Sequence, residues 1–161
     1  MAQNNSELDR ICDMLLDSTM FRHMKAPEII GAAPYFGIHN YSKGETIFNE
    51  GDQGTFMCFV QQGIVSVVKV DKKGEAVEMG REGPGHSFGE MAVFDGERRS
   101  ASCVAATDCE LLTLAKTAMD DMLKDKPRIG AEILRAIATS LSRRMRASAG
   151  RLVDHLAESE E

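Results

Sequence analysis

The sequence predicts a mainly β fold with flanking helices: a double-stranded β-helix (jelly-roll) barrel, with N-terminal helices before it and a long C-terminal helix after it. Along the chain, the period of the apolar residues changes from helical to short runs interrupted by glycine, and then back to helical. Many short, evenly spaced runs are typical of a sandwich or barrel, and a jelly roll is the natural closed form at this size. At 161 residues the chain suits one structural domain.

Residues 1–40 are predicted to form the N-terminal helical segment. The first helix carries its apolar residues on one face: Leu8, Ile11, Cys12, Leu15 and Leu16. Pro27 then favours the start of a second, short helix, and Pro34 ends it.

Residues 41–115 are predicted to form the barrel. Apolar runs at 46–48, 56–60, 64–70, 76–79, 102–105 and 110–114 are typical of strands. The turns between them are supplied by Gly51, Gly54, Gly63, Gly74 and the Gly83-Pro84-Gly85 run.

Residues 116–161 are predicted to form C-terminal lid or dimer helices: a short one at 116–123 and a long one from Pro127 to about Ala157. One apolar stripe of the long helix follows coiled-coil spacing: Leu134, Ala138, Leu141, Met145, Ser148 or Ala149, Leu152 and Leu156. A second stripe of Ile129, Ile133 and Ile137 is expected to face the barrel. A helix with two apolar faces generally packs against two partners, here the barrel and the same helix of a second subunit, so we expect a homodimer. The alternative is that the helix is a lid in a monomer.

Composition narrows the class of protein. The formal net charge of −6 disfavours a general nucleic-acid binder, and no apolar segment is long enough to span a bilayer. The N-terminus lacks the pattern of a signal peptide. The cysteines, Cys12, Cys58, Cys103 and Cys109, have no CxxC spacing, which favours free thiols in a cytoplasmic protein.

Residues 88–102 carry the groups that a small ribose phosphate needs. An arginine fork binds a phosphate by charge-assisted hydrogen bonds, and Glu90 is a suitable acceptor for a ribose 2′-hydroxyl. Gly89 lets the backbone approach a ligand closely. Met91 and Ala92 are expected to open a short helical turn beside the phosphate.

This run resembles the phosphate-binding cassette of the cyclic nucleotide-binding domain family, whose barrels occur in catabolite-activator-type regulators and protein kinase A regulatory subunits. The shared pattern is Phe-Gly-Glu, a short apolar helix, and an arginine followed by a small residue and alanine. Upstream, residues 43–52, Gly63 and residues 83–85 resemble the family's glycine-punctuated barrel, so that the resemblance covers about residues 21–152. It implies an eight-stranded jelly roll.

The resemblance also implies a set of ligand-binding residues: Phe88, Gly89, Glu90, Met91, Ala92, Arg99, Ser100, Ala101 and Ser148. Glu90 would accept the ribose hydroxyl and Arg99 would bind the phosphate. Ser100 would reach the phosphate or the purine edge, and Ser148 of the long helix would contact the purine. Many family members have proline where this chain has Arg98. Arg99 is favoured as the phosphate ligand and Arg98 is expected to be exposed, although a further contact from Arg98 stays open.

The resulting hypothesis is a stand-alone, non-catalytic sensor that binds cAMP or cGMP and signals through its C-terminal helix to a separate effector protein. Direct DNA binding is not expected, because the chain ends in acidic residues rather than a helix-turn-helix domain. No metal and no membrane contact are expected either. One alternative is a barrel without ligand that serves as a dimerisation or docking module, with Glu90 and Arg99 as a structural ion pair.

A metal enzyme of related shape is the third hypothesis. It is disfavoured because His23, His39 and His155 lie outside the predicted strands, and His86 stands alone as a turn residue.

Overall fold

The computed structural model of the protein describes residues 5–160. Its helices are α1 (Asn5–Asp17), α2 (Ala26–Ala32), α3 (Glu90–Asp95), α4 (Lys116–Asp125) and α5 (Pro127–Ser159), with 3-10 turns at Thr19–Phe21 and Ala33–Tyr35. Its strands are β1 (Phe36–Tyr41), β2 (Thr46–Phe48), β3 (Phe56–Gln62), β4 (Val65–Val70), β5 (Ala76–Glu82), β6 (Ser87–Phe88), β7 (Ser102–Ala105) and β8 (Cys109–Ala115).

The strands form two antiparallel four-stranded sheets, with the orders β1-β8-β3-β6 and β2-β7-β4-β5. Strands that are distant in sequence are therefore neighbours in both sheets. The predicted eight-stranded barrel with flanking helices is confirmed. Its interior is a cluster of apolar side chains from both sheets, which includes Ile47, Phe48, Val65, Phe88 and Leu111.

A second core lies between the first sheet and the helices. Successive side chains of a strand point to opposite faces. Leu112 and Leu114 of β8 therefore meet the helices, while Cys109 and Leu111 point into the barrel. The helical side contributes fully buried residues such as Ile133. Burying each such side chain stabilises the fold by about 1.5–3 kcal/mol.

The N-terminal boundary of the barrel differs from the expectation. Strand β1 begins at Phe36, inside the segment predicted to be helical, and pairs antiparallel with β8 from Phe36 opposite Leu114. Phe36 and Ile38 belong to the helical core, whereas His39 and Asn40 are exposed. Such a short run at a sheet edge, in which Phe36, Ile38 and Tyr41 do not alternate regularly, gives little sequence signal. His39 therefore lies within a strand, and the expectation that it lies outside one is wrong.

The long C-terminal helix is confirmed. Gly130, Ile133, Ala136 and Ile137 of its first half are buried, and the helix packs against α4, α2 and the 3-10 turn at Thr19–Phe21. Its second half leaves apolar side chains in solvent: Met145 is 73% exposed, and Leu152, Val153 and Leu156 are each more than half exposed. Among residues 5–160, no helix is both long and apolar enough to cross a membrane.

Candidate functional site

Helix α3 and the two glycines that bracket it form the centre of the candidate site. Gly89 precedes the helix with φ 76°, and Gly96 follows it with φ 72°. A Cβ atom on Gly89 would lie 2.8 Å from Nη1 of Arg99 and 3.1 Å from the ring of Phe48. Glycine at position 89 is therefore required both by the left-handed backbone and by the close approach of Arg99.

Arg99 lies inside the barrel wall and is only 4% exposed. Its Nη1 donates a hydrogen bond to the carbonyl of Gly89 and its Nη2 donates one to the carbonyl of Phe56. The guanidinium carbon lies 3.8 Å from the centre of the Phe48 ring, within cation–π distance. Burial lowers the pKa of Arg99, but a guanidinium stays protonated at neutral pH. The structure thus holds a buried cation in a fixed orientation.

The neighbouring Arg98 is exposed, although it also lines the cavity described below. Its backbone pairs with Gln53 in an isolated bridge, and its exposed side chain donates a 3.1 Å hydrogen bond from Nη1 to the carbonyl of Gly51. The two adjacent arginines therefore occupy different environments. The expected arrangement, with Arg99 inside and Arg98 exposed, is the one that the structure shows.

Glu90, the first residue of α3, is buried to 3% exposure. Its Oε1 accepts a 3.0 Å hydrogen bond from Nη1 of Arg144, which also makes it an ion pair. The structural Glu90–Arg99 ion pair considered from the sequence is not what forms among residues 5–160, because Arg99 bonds to carbonyls and Glu90 to Arg144.

Besides Oγ of Ser87, two polar atoms at this site are buried without a hydrogen-bond partner among the described residues: Oε2 of Glu90 and Nε of Arg99. One is an acceptor with a negative charge, and the other is a donor with a positive charge. Buried polar groups are nearly always hydrogen-bonded, so an unpartnered pair of this kind indicates a site that a ligand completes.

Arg144 connects α5 to the barrel. Besides Glu90, its Nη1 donates to the carbonyl of Ser87 at 2.9 Å, and its Nη2 donates to Oε1 of Glu82 at 2.7 Å. The other oxygen of Glu82, Oε2, lies 2.9 Å from Nδ1 of His86. The roles of Arg144 and Glu82 were not predicted from the sequence. The long helix carries several arginines, and sequence spacing alone does not distinguish them.

A cavity of about 1000 Å³ lies between α3, β5 and the second half of α5. All of the predicted ligand-binding residues line it, from the cassette at 88–92 and 99–101 to Ser148 on α5. The wall that α5 contributes also includes Arg143, Arg144, Ala147 and Arg151. The structure therefore brings together residues that are up to 60 positions apart in the sequence. Their contacts with a ligand stay a prediction.

The cysteine and histidine residues form no metal site in the part of the chain that the structure describes. No group of three or more histidine, cysteine, aspartate or glutamate residues among 5–160 is arranged to hold a metal ion. The thiol of Cys103, which lines the cavity, is 3% exposed, and burial raises its pKa to about 12. It is therefore a protonated thiol near neutral pH.

Comparison with known proteins identifies the family. The family model described as "Cyclic nucleotide-binding domain" matches residues 38–126, which is more than half of the chain. The chain belongs to the cyclic nucleotide-binding domain family. The matched range contains β2 to β8, most of β1 and the whole of α3, and it includes Glu90 and Arg99.

Individual relatives agree with this family. The chain is 33% identical over 129 residues to the cyclic AMP receptor protein of Thermus thermophilus, an alignment that covers 80% of this chain and 58% of that protein. It is 42% identical over 101 residues to a cyclic nucleotide-gated potassium channel of Mesorhizobium japonicum, covering 63% of this chain and 26% of the channel. The chain thus spans little more than half of the Thermus relative.

Solved structures show the same architecture. A cyclic nucleotide-binding domain from Methylobacillus flagellatus superposes with a TM-score of 0.81 and 25% identity, covering 93% of this chain and 84% of that domain. The catabolite activator protein of Thermus thermophilus gives a TM-score of 0.72 at 32% identity, covering 87% and 63%. These cyclic nucleotide-binding domain structures reproduce the barrel together with its flanking helices.

Proposed function

We propose that the chain binds a cyclic mononucleotide in the cavity between α3 and α5 and transmits binding through α5. The observation that carries this proposal is the unpartnered buried pair, Oε2 of Glu90 and Nε of Arg99, in the wall of one cavity. A cyclic nucleotide offers one phosphodiester charge and one ribose 2′-hydroxyl. It therefore supplies an acceptor for the arginine and a donor for the carboxylate.

Arg99 is suited to the phosphate because its orientation is set before a ligand arrives. The carbonyls of Gly89 and Phe56 and the ring of Phe48 already hold the guanidinium. A pre-organised charged donor avoids the loss of side-chain freedom on binding. Burial also strengthens its attraction to a phosphate relative to an exposed arginine.

Glu90 is suited to the ribose because its two oxygens face different groups. Oε1 is bonded to Arg144 of α5, while Oε2 has no partner among the described residues. A hydroxyl that donates to Oε2 leaves the bond to Arg144 in place. Ribose binding and the attachment of α5 therefore share one carboxylate, which gives a physical link between the ligand and the helix.

The purine is proposed to lie against α5, near Ala147 and Ser148, which line the cavity. Ligand binding changes the helix only if the nucleotide prefers one of two helix arrangements. We place cAMP first, because the Thermus relative is named as a cyclic AMP receptor protein. cGMP is the alternative, since the hydroxyl of Ser100 suits either purine.

The exposed apolar residues of α5 support a homodimer. Leu152 and Leu156 lie one helical turn apart, and both are more than half exposed. A second copy of this helix would cover them, as coiled-coil spacing predicts. Leu152→Glu is expected to convert a dimer to a monomer in gel filtration, while Asp154→Ala leaves the apparent mass unchanged. A monomeric wild type would contradict this part of the proposal.

Calorimetric titration with cAMP, cGMP and linear 5′-AMP tests the function. We expect cAMP or cGMP to bind with one site per chain, and 5′-AMP to bind much more weakly because its phosphate is not a ring diester. No heat with either cyclic nucleotide up to about 1 mM, corresponding to a binding free energy weaker than about −4 kcal/mol, would contradict the proposal. The uncovered face of α5 would then favour the second candidate function, a ligand-free dimerisation or docking module.

A separate effector protein is proposed as the recipient of the signal, in a cytoplasmic setting and without catalysis by this chain. The support is the position of Arg144. It joins the cavity to a helix on which the side chains of Leu152, Val153 and Leu156 are exposed.

A further inference from the structure

Glu82 is a carboxylate in the cavity wall whose role the cassette does not explain. It is the last residue of β5, and its side chain is 12% exposed. Each of its oxygens has a separate partner: Oε1 accepts from Arg144 at 2.7 Å and Oε2 lies 2.9 Å from Nδ1 of His86. This arrangement fixes the direction of the carboxylate toward α5.

Arg144 is shared between two carboxylates. Its Nη2 is held by Glu82, and its Nη1 is held by Glu90 together with the carbonyl of Ser87. An arginine next to a single carboxylate tends to bond to both of its oxygens in a fork. Here Glu82 draws Nη2 away from Glu90, so that only Oε1 of Glu90 is used and Oε2 has no partner among the described residues.

We propose that Glu82 is a positioning residue for ribose recognition: it holds Arg144 so that Oε2 of Glu90 stays available for a ribose 2′-hydroxyl. The inference rests on the proposed function, in which Glu90 contacts the ribose. Without Glu82, Nη2 of Arg144 turns to Oε2 of Glu90 and occupies the position that the hydroxyl needs. His86 supports the same geometry by holding the second oxygen of Glu82.

The experiment compares cAMP with 2′-deoxy-cAMP, two ligands with the same phosphate and purine. Their affinity ratio isolates the hydroxyl contact from every other interaction. The variant is Glu82→Met, which keeps the length of the side chain and removes its acceptors. Glu75→Met is the matched control, because Glu75 lies in the turn before the same strand and outside the cavity.

We expect wild type and Glu75→Met to prefer cAMP over the deoxy ligand by about tenfold, the size of one hydrogen bond to a carboxylate. In Glu82→Met the ratio is expected to fall to about twofold or less, because cAMP binding weakens while 2′-deoxy-cAMP binding is little changed. His86→Ala, a substitution at an exposed position, is expected to lower the ratio in the same direction by a smaller factor.

The possible results distinguish a failure of the proposed role of Glu82 from a failure of the proposed contact between Glu90 and the ribose. An unchanged ratio in both Glu82→Met and His86→Ala would overturn the role of Glu82. Equal weakening of both ligands in Glu82→Met would also overturn it, because it would mean a structural contribution alone. A wild type that binds neither ligand, or does not distinguish them, would instead contradict the proposed contact of Glu90 with the ribose.

Discussion

The adjacent arginines of the cassette provide the sharpest test of which side chain binds the phosphate. Arg99→Gln and Arg98→Gln make the same change of charge and size at neighbouring positions. Arg99 is buried against Phe48, whereas Arg98 is exposed and bonds to the carbonyl of Gly51. If the buried guanidinium binds the phosphate, the two substitutions have very different effects on affinity.

The magnitude follows from the environment of each side chain. A hydrogen bond to a charged group is worth about 1.5–3 kcal/mol, and burial of Arg99 adds to its attraction for a phosphate. A loss of about 3 kcal/mol corresponds to roughly 100-fold weaker cAMP binding for Arg99→Gln. An exposed charge contributes about 0–1 kcal/mol, so Arg98→Gln is expected to weaken binding by less than about fivefold.

Stability must be controlled, because Arg99 also holds the fold together. Its substitution removes the donors to the carbonyls of Gly89 and Phe56, which is expected to cost about 1–3 kcal/mol of unfolding free energy. Urea denaturation measures this loss and defines conditions in which the variant is folded. Arg99→Lys keeps the charge but not the planar fork, and its affinity is expected to lie between those of wild type and Arg99→Gln.

Isothermal titration of the four proteins with cAMP at one pH and salt concentration is the assay. A folded Arg99→Gln protein that binds cAMP within about fivefold of wild type would contradict the assignment of the phosphate to Arg99. A larger loss for Arg98→Gln than for Arg99→Gln would also refute it, and would assign the phosphate to the rim of the cavity.

Three further predictions concern backbone strain, core packing and pH. Gly96→Ala, with open space at its Cβ, is expected to lose about 1–2 kcal/mol of stability in urea denaturation with little change in cAMP affinity. Gly89→Ala loses more and binds more than about tenfold weaker, because its Cβ displaces Arg99. Ile133→Ala is expected to lose about 2–5 kcal/mol by urea denaturation, since the side chain is fully buried, with binding retained. The pKa of the Cys103 thiol is raised from its ordinary 9.0 to about 12, so the unfolded chain releases this proton first as pH rises. The stability from the buried thiol is therefore present below pH 9 and lost toward pH 12, by up to about 1.4 kcal/mol per pH unit. Cys103→Ala reduces this dependence in urea denaturation, and the part that remains comes from the Cys58 thiol, whose pKa burial also raises.

The helices and strands whose apolar residues recur at a regular spacing could be predicted from the sequence. Helix α5 begins at Pro127, a residue that is well suited to the first turn of a helix, and its isoleucines recur at helical spacing. Strand β8 alternates between the two cores in the manner of a buried strand. The cassette was recognisable because Phe88, Gly89 and Glu90 stand in order before a short apolar helix and Arg99.

Features that depend on tertiary placement could not be predicted. Strand β6 has two residues, too few to show a period, and β1 is an edge strand with a polar end. Arg144 was not distinguished from Arg143 or Arg146, because the side chain that meets Glu90 depends on how α5 is rotated over the barrel. Sequence spacing along one helix does not contain that information.

The structure of the chain in complex with cAMP is the most direct test of the proposed binding mode. We expect the ring phosphate to accept a hydrogen bond from Arg99, the ribose 2′-hydroxyl to donate to Oε2 of Glu90, and Arg144 to stay bonded to Oε1. A nucleotide bound elsewhere would contradict it. So would a nucleotide in this cavity that leaves both Nε of Arg99 and Oε2 of Glu90 without a partner.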